Sequence, residues 1–208
     1  MLIVGLTGGV ASGKSVVSRV LREEGAYLID ADQIARELVE PGTPTWKELV
    51  RAFGNEILQE DRSIHRKKLA ARVFSDPEQR SILERMIHPR IKEEMSHRLK
   101  AISQKDPEAI VVIDAPLLIE TGNHREMDKV IVVTSTEEQQ IERLREREGM
   151  DPEETKRIIA SQISTEEKIK AADFVIRNEG SLEDVERKAK EIFRELRKIV
   201  NQKRTPGA

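Results

Sequence analysis

Leu2-Ile3-Val4-Gly5-Leu6-Thr7-Gly8-Gly9-Val10-Ala11-Ser12-Gly13-Lys14-Ser15 opens the chain, and its reading decides the fold. Leu2 to Leu6 is an apolar run of strand length that glycines bring to an end. Val16, Val17, Val20 and Leu21 then recur on one helical face. Between strand and helix, Gly8 and Gly13 are followed by Lys14-Ser15 in the spacing of a phosphate-binding loop. In that arrangement successive backbone N–H groups and a helix N-terminus converge on a polyphosphate. Gly13 lets the backbone approach the phosphates, Lys14 neutralises the β and γ oxygens, and the Ser15 hydroxyl is a magnesium ligand. Gly9, Val10, Ala11, Ser12, Gly13, Lys14, Ser15 and Val16 are therefore expected to bind ATP.

Outward from this loop the chain alternates strand and helix. Gly25 ends the first helix, Ala26-Tyr27-Leu28-Ile29 reads as a second strand, and Asp30-Ala31-Asp32 follows it. Ile110 to Ile113 and Val130 to Val133 are continuous apolar runs, the mark of strands covered on both faces. Phe174-Val175-Ile176 is a last strand, after which Ser181 caps a helix bearing Leu182, Val185, Ala189, Ile192, Phe193, Leu196 and Ile199. The expectation is an α/β fold, a parallel β-sheet core flanked by helices, in which 1–30, 106–142 and 171–200 form the nucleotide-binding core. Residues 31–105 read as wholly helical and are too long for an ordinary connection, so they are expected to form a helical acceptor-binding insertion. Residues 143–170, helical and dense in Arg and Lys, are expected to be a lid, and 201–208 a disordered tail.

Composition narrows the chemistry. With 36 Lys and Arg against 38 Asp and Glu, a net charge of -2 gives no global attraction to nucleic acid or anionic membrane. No stretch is apolar enough to span a bilayer, and Met1 to Leu6 is too short and uncharged for a signal peptide, so a cytoplasmic protein is expected. The absence of cysteine removes disulfides, thiolate nucleophiles and cysteine-ligated zinc together. A metal should then be a hard cation held by oxygens. A charged fraction of 36% fits either surface ion-pair networks or long solvated helices.

A phosphate loop alone names no subclass. A switch GTPase would carry Asp-x-x-Gly and Asn-Lys-x-Asp, and neither occurs. The Ser-Gly signature of a transporter ATPase is found only as Ser12-Gly13, inside the loop itself. A small-molecule kinase remains, with nucleoside monophosphate kinases and a nucleotide-gated binding module as rivals. Asp30 and Asp32 stand just past a strand end, where a carboxylate acts on an attacking hydroxyl or caps the next helix. Asp114 ends a strand in the form of a Walker B element and is a second magnesium ligand. Arg143 and Arg147, one turn apart, are the lid arginines able to meet a transferring phosphoryl group.

Several further runs stand in a familiar order: Ile29-Asp30-Ala31-Asp32 with Ala35-Arg36, Glu40-Pro41-Gly42, Phe53-Gly54, Val73-Phe74 with Asp76-Pro77, His88-Pro89, Asp114-Ala115-Pro116-Leu117-Leu118 with Glu120, and Gln140-x-x-Arg143. With the phosphate loop they resemble dephospho-coenzyme A kinase from residue 1 to about 200. The resemblance implies a P-loop kinase with ATP as donor, dephospho-coenzyme A as acceptor, and a place as the last step of coenzyme A synthesis. It implies that Thr7 and Asp32 line the acceptor hydroxyl, Arg66 and His88 help bind the acceptor, Arg143 meets the transferring phosphate, and Asn178 and Gly180 lie near adenine. Catalytic roles then fall to Asp32, Lys14 and Arg143, magnesium to Ser15 and Asp114, and the assembly state to a monomer or weak homo-oligomer. The sequence departs from the family pattern at Ala11, where glycine is common, and at His65, where aspartate is usual. Lys92 likewise replaces a usual arginine and Ile119 a frequent phenylalanine. His88-Pro89 reads as the joint between two helices.

Overall fold

The structure, a computed structural model, describes residues 1–204. Five parallel strands form one sheet: β1 (Leu2–Gly8), β2 (Tyr27–Asp30), β3 (Ile110–Asp114), β4 (Lys129–Thr134) and β5 (Phe174–Arg177), in the order β2-β3-β1-β4-β5. Register sets the edge that matters. Leu6 pairs with Asp114, Gly8 with Val133, and Thr134 with Arg177, so the carboxyl ends of β1, β3, β4 and β5 lie together. The strands are continuous apolar runs because helices bury them; Val111, Val112, Ile131 and Val133 are all fully enclosed.

Two helices supply much of that cover. In α1 (Lys14–Glu23), Val17, Val20 and Leu21 face inward. In α9 (Leu182–Arg204), Val185, Ala189, Ile192, Phe193, Leu196 and Val200 do so at helical spacing. Each of these side chains larger than alanine contributes about 1.5–3 kcal/mol relative to exposure. The tail expected from residue 201 is helical through Arg204, and residues 205–208 lie outside the described residues.

The chain divides into two compact units, one of Met1–Ile29 with the chain from Ile102 onward, the other of Asp30–Ala101. The second unit holds α2 (Ala31–Glu37), α3 (Pro44–Phe53) and α4 (Arg66–Ser75), with most of α5 (Pro77–Lys105). Its core is Trp46, Leu49, Phe53, Ile57, Ile64 and Leu69, backed by Ile82, Leu83, Met86 and Ile87.

Two sequence expectations fail in this unit. It is not wholly helical, because Leu58 and Ile64 form an antiparallel bridge around a polar turn. Asp61 Oδ1 accepts from Ser63 N at 2.9 Å, and Arg62 takes a left-handed φ of 66°. Trp46 Nε1 then donates to Arg62 O at 2.9 Å, which fastens the turn to α3. Nor does His88-Pro89 separate two helices, since α5 runs through Pro89. Proline removes the amide that would donate to the Arg85 carbonyl. At the adjacent carbonyl Arg90 Nη1 donates to Met86 O at 2.6 Å, and Arg90 Nη2 reaches both Glu48 oxygens at 2.8 and 2.7 Å, tying this part of α5 to α3. Among the described residues no helix is long and apolar enough to cross a membrane.

Candidate active site

The loop between β1 and α1 is held from outside by its own carbonyl groups. Gln140 Nε2 donates to Val10 O at 2.8 Å, Arg143 Nη1 to Ala11 O at 3.1 Å, and Asn178 Nδ2 to Ser12 O at 2.9 Å. Three consecutive carbonyls thus face protein donors, an orientation that leaves the α1 N-terminus and the loop amides other than those of Val10 and Ser12 to form an anion cradle. Two of the donors come from α6 (Glu137–Glu148), where Gln140 and Leu144 are buried and Thr136 with Gln139 closes a capping box. The third stands at the end of β5, where Asn178 N donates to Thr134 O at 2.7 Å and Asn178 O accepts from Arg143 Nη2 at 3.1 Å. Gly13, at φ 90°, has no room for a side chain, since a Cβ there collides with the Asn178 amide.

Beside this cradle Lys14 Nζ is paired with Asp114 Oδ1, its side chain only 20% exposed. The lysine is therefore not a free solvent-facing group. The pair places Asp114, 6% exposed at the end of β3, next to the loop. Ser15 is exposed on the first turn of α1. A hydroxyl and a carboxylate are both hard oxygen donors, and no group of three or more His, Cys, Asp or Glu side chains among the described residues is arranged to hold a metal. This donor set fits magnesium, which keeps waters and takes nucleotide phosphates as ligands, and does not fit a zinc cage.

The other sequence-selected residues are placed as follows. Thr7 is buried, and its hydroxyl donates to Pro116 O at 2.9 Å, fixing the turn after β3. Gly180 lies between β5 and α9, with Asp184 Oδ2 3.4 Å from where a Cβ would stand. Arg147 is exposed and paired with Glu148 at 2.5 Å. Position 143 is not a break: α6 continues to Glu148, and the backbone turns at Gly149 with φ 64°. After it come α7 (Pro152–Ala160) and α8 (Thr165–Lys170). Gln162, between them, accepts from Val10 N at 3.2 Å, a contact with no periodicity or motif to announce it.

In the second unit, Asp30 is the α2 N-cap, its Oδ1 accepting from Gln33 N at 2.9 Å. Asp32 is exposed in the first turn of the same helix and is not the cap. An open cleft of about 450 Å³ in this unit is lined by Arg36, His65, Arg66 and Lys67 among others. His88 lies on α5 and is not part of its lining. His65, where the resembled family has aspartate, keeps the capping function: its Nδ1 accepts from Lys68 N at 3.3 Å at the start of α4.

Comparison with known proteins finds one family and several solved structures similar to this chain. A family model described as dephospho-CoA kinase matches residues 2–184. A dephospho-CoA kinase of Corynebacterium glutamicum is 46% identical over 196 residues, covering 94% of this chain and all of that protein. Among solved structures, a crystal structure from Thermus thermophilus superposes with a TM-score of 0.82 at 35% identity, covering 94% of this chain and 97% of the other. The dephospho-CoA kinase of Campylobacter jejuni does so with a TM-score of 0.71 at 28% identity and the same coverage.

Proposed function

The chain belongs to the dephospho-CoA kinase family, and on that premise we propose how its residues divide the work of the reaction. The reaction is ATP-dependent phosphorylation of the ribose 3′-hydroxyl of dephospho-coenzyme A, giving coenzyme A and ADP, the final step of coenzyme A biosynthesis. The fold is that of a P-loop kinase.

The observation that carries the assignment of roles is the loop with three outward-held carbonyls. Its amides and Lys14 bind the β- and γ-phosphates of ATP. Gln140, Arg143 and Asn178 keep the loop in that shape, and in this reading Arg143 is a positioning residue as well as a cation near the transferring group. Ser15 and Asp114 would hold magnesium, which would supply positive charge to offset that of the nucleotide phosphates. The basic cleft lined by Arg36, Arg66 and Lys67 suits an anionic acceptor, and we assign the coenzyme moiety to that unit. Asp32 accepts the proton of the 3′-hydroxyl as it attacks in line. Support for this role is its exposed place in the first turn of α2 with the capping task already taken by Asp30. The segment carrying α7 and α8 is the lid.

Mass identification of the product after incubation with Mg-ATP and dephospho-coenzyme A is the direct test, with nucleoside monophosphates as rival acceptors. Asp32→Asn is expected to leave ATP affinity unchanged and lower transfer by roughly 10²–10⁴-fold. Full turnover in that variant would remove Asp32 from the chemistry, and weakened Mg-ATP binding would make it a metal ligand.

A further inference from the structure

The Val10 amide of the phosphate loop is already engaged. It donates to Gln162 Oε1 at 3.2 Å, and the same oxygen accepts from Lys168 Nζ at 3.3 Å. A neutral amide oxygen thus sits where a phosphate-loop N–H and an ammonium group converge. That donor set suits an anionic oxygen better than a neutral one. The cation is deeply built in. Lys168, on α8, is 3% exposed, and its Nζ lies 2.9 Å from Glu120 Oε1 in the segment after β3. Both Glu120 oxygens are buried without a hydrogen-bond partner, so the ion pair with Lys168 is what balances that carboxylate.

The loop is shaped to keep this arrangement at hand. Gln140 fixes the carbonyl of the same residue, Val10, at 2.8 Å, while its N–H faces Gln162. Gly9 leaves space for the Gln140 amide, since a Cβ there would stand 2.6 Å from Gln140 Nε2. A lysine hidden two hydrogen bonds from the phosphate loop adds nothing to the apolar core, and burial of its charge is unfavourable without a partner.

Resting on the reading that ATP binds this loop, we propose that Gln162 Oε1 occupies the position of a phosphoryl oxygen and that Lys168 is a further catalytic cation. When ATP binds, an oxygen of its terminal phosphoryl group replaces Gln162 at the Val10 amide and at Lys168. The P–O bond to ADP breaks and the bond to the acceptor oxygen forms. Lys168 keeps its protons and offsets the charge that builds on the transferring oxygens. ADP lacks that group and does not displace Gln162.

Calorimetric titration with a non-hydrolysable ATP analogue and with ADP, both with magnesium, tests this beside turnover. Lys168→Met is expected to weaken the analogue about tenfold or more, hold ADP affinity within about twofold, and lower kcat by roughly 10²-fold. Lys168→Arg should restore part of both losses. Gln162→Ala removes the competing oxygen and should tighten the analogue by a few-fold without tightening ADP. Because Lys168→Met strands a buried carboxylate, the Glu120→Gln, Lys168→Met double variant repeats the test without an unpaired charge, with melting temperature as the check on folding. Gln162→Ala weakening analogue and ADP alike overturns the proposal, as does a double variant with parental kcat. A parent protein that makes no coenzyme A yet shows the analogue-against-ADP pattern would sink the assigned reaction and leave this inference standing.

Discussion

Ala11 adopts a φ of 52°, a left-handed conformation that costs a residue with a Cβ about 1 kcal/mol. The glycine common at this position in the family therefore has a backbone reason, and the cost here is met by the Arg143 bond to the Ala11 carbonyl. Lys14 is the residue whose environment was least legible beforehand. The motif assigns it to phosphate, but only the fold reveals that it neutralises the mostly buried Asp114. Lys14→Ala should lower turnover by roughly 10³-fold, through lost charge stabilisation in the transition state. It should also lower stability by about 1–3 kcal/mol by stranding the carboxylate. Adding Asp114→Asn should return the melting temperature toward the parent while turnover stays low. A single variant with unchanged melting temperature would show that the pair contributes nothing to folding.

At the scale of elements, the strands were readable because burial on both faces makes them continuous apolar runs, and α9 because its apolar spacing is regular over many turns. What escaped was set by tertiary contacts or by short polar geometry. The bridge between Leu58 and Ile64 rests on one Asp61 turn, and α5 runs through Pro89 with the Arg90 side chain bound to the Met86 carbonyl. The Gln-x-x-Arg run could be noted as a motif, yet its task of holding Val10 and Ala11 carbonyls needed coordinates, and Gln162 and Lys168 lay unmarked in a charged stretch. The helix containing Arg143 is anchored by Leu144, so motion should begin beyond Gly149. Amide exchange without nucleotide should be faster in α7 and α8 than in β3, and ATP should slow it. Protection in α7 equal to that of Ile110–Asp114 without ligand would make the segment a fixed part of the core.

For the whole molecule, charge is organised locally, as the near-neutral total requires. About half of the ion pairs among the described residues are exposed neighbours along one helix, such as Arg80 with Glu84 and Arg187 with Glu191, each worth little. Arg98 is different, joining Glu94 on its own helix to Glu37 on α2. Hydrogen bonds from Arg98 and then Gln33 hold the Glu37 carboxyl below its usual range. A depressed folded value means that this stabilisation is full above the unfolded value near 4.5 and is lost as pH falls through the carboxylate range. Glu37→Gln should therefore melt below the parent at neutral pH, and the gap should close on acidification. A gap independent of pH would assign the effect to packing.

The outward-held carbonyls also bear on synthesis. The phosphate loop leaves the ribosome well before its partner at the end of β5, for Ser12 waits for Asn178, 166 residues later in the chain. At roughly 5–20 residues per second, the interval is on the order of 10–30 s. Throughout it the most recognisable motif of the protein has its sequence and lacks its staples. The staple at Ser12 is thus acquired only when the last strand of the sheet is laid beside the fourth.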